Sequence, residues 1–191
     1  MIRIELPVSE KDIRKLNVGD EVLLSGRIMT ARDMAHKYMV EEKPAYLRDV
    51  LNGSVIYHCG PIVKHVRGQY EIVAAGPTTS IREEPYEHTV IRLYNVRGVI
   101  GKGGMGPQTS QALRECGAVY FAATGGAAAV LADAVEKVES VFKLEEFGVP
   151  EAMWVLHVRD LPLVVTMDSH GESLHKEVLD RSRAVFENLT A

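Results

Sequence analysis

The stretch VIGKGGMGPQT, Val99 to Thr109, limits the fold more than any other part of the chain. An apolar strand runs into a glycine loop, and Pro107 stands where a helix would take its first turn. Gly101, Gly103 and Gly106 match the dinucleotide pattern G-x-G-x-x-G. That reading also requires an acidic residue near the end of the next strand, about 20 residues on, to hold a ribose hydroxyl. Here the next strand ends FAATGG and offers none. A Walker loop fails as well, because its lysine follows the last glycine, whereas Lys102 precedes Gly103. Two readings remain. The loop is a tight turn without a ligand, or Lys102 and the free N–H groups of a helix start form a carboxylate or phosphate site.

Elsewhere strand and helix alternate. VLLSGRIM (Val22 to Met29) reads as a strand feeding the helical ARDMAHKYMVEE, in which Met34, Tyr38 and Met39 recur at helical spacing. SVIYHCG (Ser54 to Gly60) is expected to pair through the KHVRGQY turn with EIVAAG (Glu71 to Gly76). Then follow helical PYEHTVIRLYNV, strand GVIG, helix PQTSQALREC, strand AVYFAA and the small-residue segment GGAAAVLADAV. WVLHV (Trp154 to Val158) and LVVTMD (Leu163 to Asp168), separated by RDLPL, read as a hairpin-like pair, and the helix HKEVLDRSRAVFENL closes the sequence. The pattern predicts one α/β domain over residues 1–191, with a partly parallel sheet and a second antiparallel layer.

Three strand ends carry a cation: Arg32, Arg82 and Lys102. Ligand crevices of open α/β sheets lie at such ends, and two guanidiniums with an ammonium suit a small dicarboxylate. The formal net charge of -4, with Lys and Arg scattered along the chain, argues against nucleic acid as the main partner. No apolar run approaches a membrane span and no secretory leader is apparent, so a cytoplasmic location is expected. Only Cys59 and Cys116 are present, and neither belongs to a C-x-x-C pair. A complete zinc or iron–sulfur site is therefore not expected within this chain.

TARDMAHK, GPTTSIR, GKGGMGP and FGVPEAMW, in that order and at similar intervals, resemble the class I fumarase and L-tartrate dehydratase family of iron–sulfur hydro-lyases. The resemblance is to the β subunit of two-chain members, or the C-terminal half of single-chain ones. It implies a swivelling β/β/α three-layer domain with a partly parallel central sheet and a second antiparallel sheet. It also implies a hetero-oligomer with an α subunit whose three cysteines hold a [4Fe–4S] cluster, with no metal ligand here. The implied reaction, one of the tricarboxylic acid cycle, is reversible hydration of fumarate to L-malate. L-Tartrate dehydration to oxaloacetate is the alternative, and a non-catalytic anion-binding or assembly module is the alternative of another class.

Carried over residue by residue, the resemblance puts the proton-abstracting threonine at Thr78 and the substrate-binding cations at Arg32, Arg82 and Lys102. His36, Gly103 and Gly104 are candidates for lining the site, although a core-satisfied or exposed role suits His36 equally. KGGM where single-chain members often show K-G-N-R points to the two-subunit branch. Arg82-Glu83 departs from a common Arg-Met. His58, Cys59 and His65 match no zinc spacing, so Cys59 reads as a buried thiol. DSHG (Asp168 to Gly171) reads as a turn, and Trp154 as packing.

Overall fold

The computed structural model describes residues 1–190. Its nine strands are β1 Ile2–Glu5, β2 Glu21–Thr30, β3 Val55–Tyr57, β4 Ile62–Val66, β5 Gln69–Ala74, β6 Gly98–Gly101, β7 Val119–Ala122, β8 Val135–Phe142 and β9 Met153–Met167. Its α-helices are α1 Glu10–Ile13, α2 Asp33–Glu42, α3 Arg48–Leu51, α4 Glu84–Tyr94, α5 Pro107–Cys116, α6 Ala128–Asp133, α7 Leu144–Phe147 and α8 Leu174–Thr190. The architecture is mixed α/β, with a mostly parallel central sheet and a small antiparallel one.

β1, β2, β3, β6 and β7 run parallel in that spatial order, and β9 then pairs antiparallel with β7, with β8 and with β2. The contact between β2 and β9 closes the sheet on itself in part. Central strands buried on both faces carry unbroken apolar runs, as VIY in β3 does with all three residues buried. Val55, Tyr57 and Phe121 join one core with Trp154 and Leu156. Ile56, Val99 and Tyr120 face the other way, into a second core with α2, α4 and α5.

Two strand pairings differ from the sequence expectation. Ser54 to Gly60 does not pair with Glu71 to Gly76: β3 enters the central sheet between β2 and β6, while β4 and β5 form their own hairpin around Arg67 and Gly68. The KHV of the supposed turn is itself strand, because a two-residue turn with both residues at positive φ suffices to reverse the chain. Trp154 to Asp168 is likewise no hairpin. β9 runs continuously through RDLPL, where Asp160 adopts a left-handed φ of 49° opposite a register shift between Leu24 and Gly26 of β2. A bulge of this kind bends a strand without ending it. β8 was not expected at all; it lies at the edge, pairs with β9, and places Val135, Val138 and Val141 against the core.

α5 begins at Pro107 and stops at Gly117, whose φ of 62° is the left-handed C-cap that glycine favours. α4 likewise ends on Asn95 at φ 56°. α8 buries none of its described residues and leaves Val178, Leu179, Val185 and Phe186 exposed. No described helix is long and apolar enough to cross a membrane.

Candidate active site

The parallel strands β2, β3 and β6 end side by side; His58 and Lys102 directly follow β3 and β6, and Arg32 is the second residue past β2. The turn Pro77–Ser80 lies across these ends like a short extra strand. The Thr78 N–H donates to the His58 carbonyl (2.7 Å), the Lys102 N–H donates to the Thr78 carbonyl (3.3 Å), and the Ser80 N–H donates to the Lys102 carbonyl (3.0 Å). Thr78 and Lys102 are thereby held together by backbone. The Thr78 hydroxyl also donates to the His58 carbonyl, at 3.1 Å.

Arg32 caps the start of α2, where its guanidinium lies 3.3 Å from Glu151. Gly60 makes room for it, since a Cβ there would lie 2.8 Å from Arg32 Nη1 and 2.7 Å from the Pro150 carbonyl. Arg82 pairs with Asp33, the neighbour of Arg32, at 2.7 Å. Lys102 is exposed and makes no ion pair among the described residues. The structure thus groups Arg32 with Arg82 through Asp33, and Thr78 with Lys102 through the backbone. A large groove of about 1120 Å³ lies elsewhere, between the glycine loop, α5 and α8; Gly103 lines it, whereas Arg32, Thr78, Arg82 and Lys102 do not.

The glycine loop needs its glycines for internal approaches. A Cβ on Gly101 would overlap the Ser80 hydroxyl, one on Gly104 would meet the His175 ring, and one on Gly106 would lie 2.6 Å from Glu84 Oε1. Gly103 and Gly104 also hold φ of 84° and 75°. The expected anion site at the helix start is corrected by Glu84. Its carboxylate accepts from the N–H groups of Gly106 (2.8 Å), Gln108 (2.9 Å) and Thr109 (3.3 Å), and from the Thr109 hydroxyl (2.7 Å). The positive end of α5 is filled from within the chain, so these N–H groups are already engaged. Glu84→Ala strips these partners and is expected to lower stability by about 2 kcal/mol, with faster amide exchange in the first turn of α5 as the check.

His36 does not line an open surface. It is fully buried, as are His58 and Glu87, and one oxygen, Glu87 Oε2, accepts from Nε2 of both histidines at 2.8 Å. The His36 Nδ1–H donates to the Arg32 carbonyl (2.9 Å). Burial opposes the charge on His36, but the Glu87 carboxylate outweighs it, with Glu83 helping, and holds its pKa at about 9. Burial also works against the Glu87 anion, yet His36 and the hydrogen bonds from both histidines hold it down to about 2. For His58 burial wins and the pKa falls. These three groups lie within 4.8 Å of one another; Glu87 Oε2 and the Nε2 atoms of both histidines are engaged with one another, while Glu87 Oε1 is buried without a hydrogen-bond partner.

Sequence reasoning missed Glu84, Glu87 and Glu151. Glu87 had a signal: it falls on the face of α4 that buries Val90, Ile91 and Tyr94, where a carboxylate needs partners. The two cysteines cannot hold a cluster. Cys59 is a buried thiol pushed up to about 12 by burial, and Cys116 lies at the far end of α5.

Comparison with known proteins gives the class. A sequence model described as the fumarase C-terminus matches residues 1–178, so the chain belongs to that family, which contains class I fumarate hydratases and the β subunits of L-tartrate dehydratases. A provisionally named class I fumarate hydratase of Geobacillus stearothermophilus is 52% identical over 179 residues, 93% of this chain; the chain spans only 34% of that relative's length. A provisionally named L(+)-tartrate dehydratase subunit beta of Methanocaldococcus jannaschii is 45% identical, covering 95% of this chain and 93% of its own. The L(+)-tartrate dehydratase subunit beta of Escherichia coli K12 is 39% identical, covering 90% and 85%.

Proposed function

We propose that this chain is the β subunit of a two-chain hydro-lyase that reversibly hydrates fumarate to L-malate in the cytoplasm. The observations that support the reading are two links: Thr78 is fastened to Lys102 by backbone, and Arg82 is paired with Asp33, the neighbour of Arg32. Arg32 and Arg82 would grip the substrate carboxylates. Each retains donors beyond those engaged by Glu151 and Asp33. In the dehydration direction a proton leaves the carbon next to one carboxylate and hydroxide leaves the neighbouring carbon. This chain's residues act on the first event. Thr78 takes or relays the proton, and Lys102 with the arginines balances the negative charge that builds on the carboxylate.

A [4Fe–4S] cluster would have to come from a partner α subunit, because the ligands are lacking here. L-Tartrate as substrate is the second reading; it is favoured by the tartrate dehydratase β subunits, which this chain matches over most of their length.

The test is anaerobic co-expression with a cluster-bearing α subunit, co-purification, and assays with fumarate, L-malate and L-tartrate. Fumarate turnover is expected. Preference for L-tartrate would select the second reading, and turnover of none would leave a binding or assembly module. In the active complex, Lys102→Ala is expected to lower kcat/KM about 10- to 100-fold with the melting temperature unchanged. Unaltered kinetics would remove Lys102 from the site.

A further inference from the structure

Beneath the three turns runs a buried polar chain that neither the proposed chemistry nor the hydrophobic core uses. Its directions can be read atom by atom. The Arg32 carbonyl and the Glu87 carboxylate can only accept, so His36, bonded to both, must carry protons on Nδ1 and Nε2. His58 donates from Nε2 to the same Glu87 oxygen, which leaves its Nδ1 to accept from the Ser80 hydroxyl at 2.9 Å. The Ser80 oxygen is then free to accept from the Tyr120 hydroxyl at 2.7 Å. Ser80 also reaches the glycine loop through its backbone, its N–H donating to the Lys102 carbonyl at 3.0 Å. Every side chain in the series is at most 1% exposed.

We propose that His36, Glu87, His58, Ser80 and Tyr120 are positioning residues: a continuous buried clamp that fixes the turn of Arg32, the turn of Thr78 and Arg82, and the turn of Lys102 relative to one another. The inference rests on those turns forming the site described above. A buried ion pair rarely adds net stability over apolar packing of the same volume. A buried hydrogen-bonded series can instead impose one arrangement on the elements it joins, and here only Glu87 Oε1 within it lacks a partner. It meets the proposed site at both sides: the backbone of Arg32 accepts from His36, the Lys102 carbonyl accepts from the Ser80 N–H, and Ser80 lies two residues from Thr78 and from Arg82. Glu87 is the shared anchor. A glutamine there can still accept from both histidines through its amide oxygen, but it brings no negative charge to keep the second proton on His36.

The test uses the full-length chain and two variants that cut the clamp at different joints, Glu87→Gln and Ser80→Ala. The readouts are amide hydrogen exchange and imidazole nitrogen NMR. In the wild type, His36 should be protonated on both nitrogens at a pH midway between 6.5 and 9, and in Glu87→Gln it should be neutral. Glu87→Gln should speed exchange about fivefold or more at Arg32 to His36, and Ser80→Ala should do so at Lys102 to Met105, with β8 unchanged in both. A uniform acceleration, no acceleration, or a neutral His36 in the wild type overturns the clamp. Ser80→Ala, the milder change, decides the matter if Glu87→Gln does not fold. In the active two-chain complex both variants should lower kcat/KM. A wild-type complex inactive on all three substrates would sink the functional reading, while the exchange measurements would still decide the clamp.

Discussion

Gly101→Ala is expected to destabilise the fold by about 4 kcal/mol, the sum of overpacking a dense interior and breaking a buried hydrogen-bond series. The added methyl would overlap the Ser80 oxygen and lie 2.9 Å from the Tyr120 hydroxyl. Neither neighbour can retreat: Ser80 is bonded to His58 and Tyr120, and the Ser80 backbone is tied to Lys102. Urea unfolding should show a lower midpoint with an unchanged slope. Ser80→Gly in the same chain removes the obstructing oxygen, so the double variant should lose much less than the two single losses added together. Strict additivity would show that the overlap is relieved elsewhere.

Stability should fall by a few kcal/mol as pH rises from 6.5 to about 9. Over that window folded His36 keeps its proton while the unfolded chain releases it, so the native state binds more protons and loses ground as they become scarce. His36 is faced by Glu83, just before α4, by Glu87 of α4 and by the ring of His58. Glu83 adds to the decline at lower pH. Burial, reinforced by Asp33, Glu87 and Glu151 against the pull of His36, raises it from 4.5 to about 7, which costs stability between those values. Glu87, held at about 2, acts in the opposite sense: its contribution is present above 4.5 and disappears as pH falls towards 2. His58 opposes Glu83: burial lowers its pKa, so its contribution improves as pH rises towards 6.5. Urea midpoints measured across the range should trace this curve, and Glu87→Gln should flatten the alkaline limb. A wild-type midpoint that is level from 6.5 to 9 would contradict the pairing.

Local signals in the sequence were reliable where one element decided its own fate. The glycine loop, Pro107 at a helix start and the apolar run of β6 sit where their chemistry requires. Arg32 and Lys102 lie on turns that follow parallel strands, whereas Arg82 follows the antiparallel β5. Errors arose where the deciding partner was distant. Nothing within RDLPL indicates that Ser25 will receive the Asp160 N–H and carry β9 past its bend. Nothing within GPQT indicates that Glu84 will fill the helix start. His36 showed the same limit, since its burial depends on a glutamate one helix away. Individual residue types and spacings reveal chemistry at a turn; they do not reveal which internal group reaches it first.

The long strand β9 carries a further consequence, for the order of folding. It meets β2, β7 and β8, and it follows all of them in the sequence. Until it arrives, β2 and β7 each lack a neighbour on a side that the finished protein covers, and the Trp154 core has no indole to enclose. A chain emerging from the ribosome would therefore hold open, sticky strand margins until late in synthesis. Collapse to the native ring should be a slow, final step governed by contacts between remote parts of the polypeptide.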